Sequence, residues 1–376
     1  MNEQLLLERV RESAPVSRPE LARATGLSKP TVALALSSLE RDGLVRVAGY
    51  RTGVRGPSAV LYELRPEAGF VLGLDVGREY IRGALADLTG AVRAKVSRRA
   101  QTSSARGRIK ELASLAGDLM RNAGAPRSRV LLQTVIGSPG VFDPVRGALS
   151  MAGNLPGWEA PAVLTELRRA FGEATVIEND VDVAAVAERD HGHGRNAATF
   201  AFVSVGTGIG MGLVIDGKLH RGAHGGAGEI AYLPLTAGDA DPLDVRSRGA
   251  LEASASSSAV VRAARELGLD GRLSAQRVFA AAAGGDDRAR AVVEEEATLL
   301  AKALASIVAV VDPELIVLGG GIGGAPGFAS QVAAKLARLA PFAPEIRVTA
   351  LGQDAVVDGC LAVGLEQAWH RVLASR

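Results

Sequence analysis

Residues Phe70–Arg82 read FVLGLDVGREYIR, and this stretch decides the fold. A mostly apolar run leads into Asp75, Val76 and Gly77, and a second strand starts near Tyr80. Near-continuous apolar residues mark a central strand covered on both faces. A carboxylate beside a glycine at the exit of such a strand is how many phosphate-handling sites begin. The glycine lets a phosphate approach the backbone, and the carboxylate can hold a metal or its waters. After Gly77, however, come Arg78, Glu79 and Tyr80. A phosphate loop wants small and hydroxyl side chains there. The stretch reads as a nucleotide loop that has stopped being one.

C-terminal to this strand, strand–helix alternation continues to the end of the chain. Strands are expected at Phe70–Asp75, Tyr80–Leu88 and Val92–Arg99, a helix around Arg108–Ala123, and a strand at Val130–Gly137. Thr175–Glu178 is a short strand ahead of a helix beginning at Asp180. The pattern then repeats, with strands at Phe200–Val205 and Gly210–Ile215, helices through Gly249–Leu267 and Arg288–Val311, a strand at Leu315–Leu318 and a terminal helix after Asp354. Two mixed units in succession, each opening with a glycine-exited strand, predict an α/β protein with internal duplication and a cleft between halves. Such clefts receive small ligands.

N-terminal to it the composition is different. Leu5, Leu6 and Val10 lie at helical spacing, and Pro15 ends that helix. Ser17 can cap a second helix, Arg18–Ala24, with Pro19 and Glu20 in its first turn. Thr25-Gly26-Leu27 is a tight turn, and Ser28 caps a third helix, Lys29–Asp42. Two short helices joined through a glycine turn form a helix-turn-helix, whose second member enters the DNA major groove. Leu44–Val47 and Ala59–Leu64 then make two strands around Ala48–Ser58, whose Arg51, Arg55, Gly53 and Gly56 compose a cationic wing. On this reading Ser28, Lys29 and Thr31 face base edges, and Arg51 and Arg55 reach phosphate or the minor groove. The bland alternative is a helical protein-interaction module with a solvated charged loop.

Composition sets the outer bounds. The chain has 376 residues, 47% hydrophobic and 22% charged, long enough for two or three filled cores. No apolar run reaches membrane-spanning length, and Glu3, Glu8 and Glu12 rule out a signal peptide at the start. A cytoplasmic location without membrane contact is expected. The single cysteine, Cys360, excludes an internal disulfide and any multi-cysteine zinc site. Residues 1–65 hold ten Lys and Arg against seven Asp and Glu, so the start is mildly basic while the remainder is near neutral.

Several motifs fall where the cleft should be. Ser204–Gly212 alternates glycines after a buried strand, which suits either a phosphate cradle or a tight hairpin. Leu318–Gly324 is a second glycine-rich strand exit that either lines a nucleotide or merely turns the chain. Glu178-Asn179-Asp180 sits between a strand and a helix start, so Asp180 is either the helix cap or a group that holds a sugar hydroxyl and accepts its proton. Glu229 follows the glycine-rich bend His224–Gly228, and Gly153–Trp158 supplies the amide of Asn154 and an aromatic face. Planar acceptors for vicinal hydroxyls and an apolar face for ring carbons are what a polyhydroxylated ligand requires.

Together with the N-terminal winged helix, these motifs resemble the ROK family of sugar-responsive repressors and sugar kinases. The resemblance rests on Leu74–Gly77, Ile136–Gly140, Glu178–Asp180, Val205–Gly212, Gly228–Ile230, Gly249–Glu252 and Leu318–Gly321, and it covers essentially the whole chain. It implies an α/β fold: a winged helix-turn-helix over residues 1–65, then a two-lobed actin-like (ribonuclease H-like) ROK domain over 66–376. Lobe 1 is expected at about 70–181 plus the C-terminal helix 354–374, and lobe 2 at about 182–353. By resemblance, Asn179, Asp180, Glu229 and Glu252 contact sugar hydroxyls, with Asp180 at the kinases' catalytic-base position. Asn154 and the Gly137–Gly140 turn border the pocket.

Two departures from the family matter. Its kinases have Gly-Thr-Lys or similar after the first Asp-x-Gly, where this chain has Arg78, Glu79 and Tyr80. Glu79 puts an anion where phosphate oxygens would lie, a repulsion of several kcal/mol if desolvated. The family's zinc site uses one His and three Cys. Here Tyr232 takes the His position, and Leu243, Val245 and Ala250 the Cys positions, so no thiol remains for zinc. That His also touches the sugar, so Tyr232 bears on which sugar fits. The expectation is therefore a non-enzymatic, sugar-responsive repressor of duplex operator DNA, a homodimer or homotetramer, without ATP or metal cofactor. The alternative is an ATP-dependent sugar kinase that retains a DNA-binding domain, with Asp180 as base and Asp75 near Mg²⁺.

Overall fold

The computed structural model describes residues 1–51, 59–125, 131–143, 145–153, 155–236 and 242–376. The head comprises helices Asn2–Ser13, Arg18–Thr25 and Lys29–Arg41, with a three-stranded sheet in the order Val16–Ser17, Ala59–Leu64, Val45–Arg51. Its second helix starts through a capping box. The Ser17 side chain accepts from the backbone three residues on, and Glu20 accepts from the Ser17 N–H at 2.8 Å. Gly26, at φ +71°, adopts the left-handed conformation that ends it. The third helix buries Val32, Ala35, Leu36 and Leu39, the i, i+3, i+4, i+7 stripe of a core-facing helix. In the first helix the buried leucines are Leu6 and Leu7, not the expected Leu5 and Leu6. The strand after the third helix runs to Arg51, beyond the expected Val47, because pairing with Ala59–Leu64 resumes after an irregularity between Val47 and Gly49.

Two five-stranded sheets carry the rest. The first has the order Thr175–Asn179, Leu131–Ser138, Phe70–Val76, Tyr80–Asp87, Val92–Arg99. The second has the order Lys218–Leu219, Ile209–Ile215, Phe200–Val205, Leu315–Gly319, Glu345–Val348. The strand Phe70–Val76 lies at the centre of its sheet and every residue of it is buried, as its apolar run requires. The expected single helix Gly249–Leu267 is two, Ala250–Ala255 and Ser257–Glu266, broken at an extended Ser256. Helices Ala162–Phe171, Ala275–Ala283 and Phe328–Leu336 carried no cue strong enough to be foreseen.

Two helices cross between the sheets. Asp180–His191 packs on strands of the second sheet, Ala355–Ala374 packs on strands of the first, and the two helices pack on each other. Their backbones meet at Gly359, where a Cβ would sit 1.7 Å from the Val183 carbonyl oxygen. Only glycine permits that approach. The C-terminal helix also joins the head. Leu6, Leu7 and Val10 of the head share one hydrophobic core with Val71, Ala84, Leu361, Trp369 and Val372. Trp369 donates its indole N–H to the Leu88 carbonyl at 3.1 Å, and the Arg11 guanidinium lies over its ring. Gln4 donates to the Leu373 carbonyl at 2.9 Å, and Arg376 pairs with Asp42 at the end of the third helix.

Candidate functional site

The cleft-facing carboxylates are set by the start of the helix Asp180–His191. Asn179 is its cap: the side-chain oxygen accepts from the N–H groups of Val181 and Asp182 at 2.9 and 3.1 Å. Its amide donates to the Gly140 carbonyl at 3.1 Å. Asn179 therefore ties helix, strand exit and the Gly137–Gly140 turn together. Asp180, relieved of the capping role, is the first helical residue. Burial pushes its carboxyl up to about 6, the Val181 N–H opposes this, and nearby Glu229 adds to it.

Glu229 comes from the other lobe, in the loop just ahead of the short turn Ile230–Tyr232. Gly228, at φ +92°, lies so close to the Ile209–Ile215 strand that a Cβ would fall 1.9 Å from the Met211 carbonyl oxygen, and this bend aims Glu229 inward. Burial raises the Glu229 carboxyl, and Glu252 raises it further. Glu252, buried on the helix Ala250–Ala255, accepts from the Ile209 N–H at 3.0 Å. The Tyr232 hydroxyl is held above its usual value by burial, then by Glu229, Glu252 and Glu159. Asp180, Glu229, Tyr232 and Glu252 thus sense one another across the space between the two sheets. Acceptors clustered in this way, short of cations, suit hydroxyl donors.

Three residues that the sequence did not single out complete the surroundings. Arg221 donates two hydrogen bonds to Glu178, both at 3.1 Å, bridging the second sheet's loop to the first sheet's edge strand. Asp182 is buried, and its Oδ1 has no hydrogen-bond partner among the described residues. Burial pushes it up to about 8 despite Arg221, with Glu178, Glu229 and Asp180 adding to the rise. Glu159 accepts from the Ala152 N–H at 2.6 Å beside Tyr232.

Trp158 is fully buried in the first sheet's core and donates to the Ser138 hydroxyl at 2.8 Å, so its ring buttresses the Gly137–Gly140 turn and offers no stacking face. The Ser204–Gly212 run is a hairpin: Val205 pairs with Ile209, and the Gly206 and Ile209 N–H groups are used internally. Gly320, at φ +79°, packs against the Val205 carbonyl, so the second glycine run serves close backbone contact. Asn154 lies outside the described residues.

At the expected phosphate floor, Asp75 is buried and accepts from Arg82 at 2.9 Å. Arg82 also donates to Gln353 at 2.8 Å and lies over the Tyr80 ring. Burial pushes Asp75 up to about 6, Arg82 opposes this, and Asp180 reinforces it. Glu79 is exposed, so the desolvated repulsion expected of it does not arise. The residue that engages the metal-holding position is Arg82, its cross-strand partner in register.

In the head, the Ser28 and Thr31 hydroxyls lie 2.8 Å apart, and Ser28 also accepts from the Thr31 N–H. Both are spent on the cap, while Lys29 is exposed. Arg51 pairs with Glu20 at 2.6 Å, and Glu20 is drawn down to about 2 by hydrogen bonds from Ser17 and then Arg51. Arg55 lies outside the described residues. No helix among the described residues is long and apolar enough to cross a membrane.

The chain is similar to known proteins in sequence and fold. The ROK family profile matches residues 71–366, and a profile described as winged helix-turn-helix DNA-binding matches residues 2–46. A xylose repressor of Caldicellulosiruptor bescii is 27% identical over 335 residues, 85% of this chain and 82% of that protein. The solved structure of a ROK family transcriptional regulator, a homologue of the E. coli MLC protein, superposes with a TM-score of 0.76 at 21% identity, covering 100% of this chain and 97% of that one. A ROK hexokinase from Thermus thermophilus gives 0.67 at 29% identity, covering 79% of this chain and 98% of its own.

Proposed function

The chain belongs to the ROK family, and on that premise we propose that it is a sugar-responsive transcriptional repressor whose effector is a mono- or oligosaccharide held between the two lobes. The observation that carries this reading is the winged helix-turn-helix built onto the first lobe through one shared core. Asp180, Glu229 and Glu252 accept the sugar's hydroxyls, Tyr232 adds a donor, and Asn179 shapes the rim. Hydroxyl donation to Asp180 and Glu229 replaces water lost on burial and favours their ionised forms. Closure of the lobes on the sugar shifts the population of head positions, and a dimer with two heads matches a palindromic operator.

The route for that shift is contiguous. Asp180 begins the helix whose Val183 touches Gly359, and the C-terminal helix carrying Gly359 is followed by Arg376, paired with Asp42 beside the third head helix. Ligand-driven movement of the first helix is felt by the last.

We further read the chain as a non-enzyme. The carboxylate best placed to hold Mg²⁺, Asp75, is engaged by Arg82 and Gln353's partner geometry fixes that guanidinium. The side chains at the family's zinc position do not fit zinc: Tyr232 carries a phenol with raised pKa, and Leu243 is an exposed apolar residue. The test is an operator-binding titration with and without a panel of sugars, run beside an assay for phosphate transfer from ATP. A sugar that changes operator affinity without being phosphorylated is the expected result. Phosphorylation of any panel sugar overturns the non-enzyme reading and favours the kinase, for which Asp180 is the base.

A further inference from the structure

The outward face of the helix Lys29–Arg41 holds one residue that chain packing does not explain. Val32, Leu36 and Leu39 are all fully buried, yet Leu34 is 75% exposed. On a helical wheel Leu34 falls with Pro30, Ser37 and Arg41, opposite the buried stripe. Lys29, Pro30, Ser37 and Arg41 are exposed as well. The face is therefore one apolar side chain flanked by Pro30 and Ser37 with Arg41 at its C-terminal end, and Lys29 lies at the helix start to one side of it.

A polyanion fits this face better than a second copy of the chain does. Self-association through it about a two-fold axis would set the Arg41 end of one helix toward the Lys29 end of the other, cation toward cation. In the major groove, by contrast, phosphates meet the cations and base edges meet the centre. The apolar group that base edges present there is the thymine C5-methyl. Ser28 and Thr31, the hydroxyls first expected to read bases, are occupied with each other. We infer that Leu34 is a specificity-determining residue that reads a thymine methyl in each operator half-site. This rests on the reading that the head binds duplex DNA.

The test starts by selecting bound sequences from a randomised duplex pool with the full-length wild-type chain. Each thymine of the selected operator is then replaced singly by deoxyuridine, which removes only the methyl. Wild type should lose about fourfold in affinity at one thymine per half-site, the worth of one buried methyl group. Leu34→Ala should bind the thymine and deoxyuridine operators equally at that position, with unchanged melting temperature and unchanged affinity for unselected duplex. Wild-type indifference to every deoxyuridine replacement overturns the assignment. So does retained discrimination in Leu34→Ala, or a change in oligomeric state on that substitution. Selection that enriches no duplex overturns the DNA-binding premise and the assignment with it.

Discussion

Asp75 and Asp180 are two carboxylates with one degree of perturbation and two different fates. Both are pushed to about 6, and in both cases burial is the first cause. Asp75 lies mid-sheet, opposite Arg82 in register, and the ion pair is anchored by Gln353. Asp180 lies at a helix start whose capping is done by its neighbour, so its carboxylate meets the cleft and Glu229. A raised carboxyl alone does not distinguish a functional group from a structural one. What distinguishes them is whether the chain itself supplies the partner.

The sharpest way to break this contrast is to delete each group in turn. Asp180→Ala should abolish the sugar-induced change in operator affinity and leave affinity without sugar intact, as read by fluorescence anisotropy. Loss of both would place Asp180 beside Asp75 as a structural residue. Arg82→Ala, leaving Asp75 buried and alone, should cost about 3 kcal/mol of stability in denaturant titration. That loss should shrink as pH falls through about 6, where the buried Asp75 carboxyl takes up its proton and no longer needs the guanidinium.

Asp182 extends the comparison to pH. A carboxyl raised on folding binds its proton more tightly in the folded chain, so it removes stability as pH rises from the unfolded value near 4 through the folded one. Asp75 and Asp180 act up to about 6 and Asp182 up to about 8. Asp182→Asn should therefore raise the melting temperature at pH 8 and leave it nearly unchanged at pH 4, by thermal shift across buffers. The smallest effect belongs to Arg221→Gln. Its half-exposed pair with Glu178 is worth less than about 1 kcal/mol, and the loss should fade at high salt.

The head, the first sheet and the inner strands of the second were legible because buried strands and capped helices write their periods into the sequence, whereas the second sheet's edge strands Lys218–Leu219 and Glu345–Val348 were not. Phe70–Val76 needed only its apolar run, and the helix-turn-helix needed only Ser17, Pro19, Gly26 and Ser28. The carboxylates at 180, 229 and 252 were legible as motif positions. Their partners were not, because Arg82 and Arg221 act through register and loop proximity that no local pattern records. Trp158 misled for the same reason: an indole can stack on a sugar or fill a core, and only the third dimension decides. Leu34 was hidden inside an alternation in which buried and exposed leucines look alike.

The shared core beneath the head has a thermodynamic consequence. Leu6, Leu7 and Val10 belong to one buried cluster with Trp369 and Val372, and the helix that carries those two covers the strand Phe70–Val76. Each large side chain in such a seam contributes about 1.5–3 kcal/mol. The head and the first lobe should accordingly melt as one cooperative unit in calorimetry. The unit of unfolding then cuts across the border between the two family profiles, and a head excised at that border would leave its own core open to solvent.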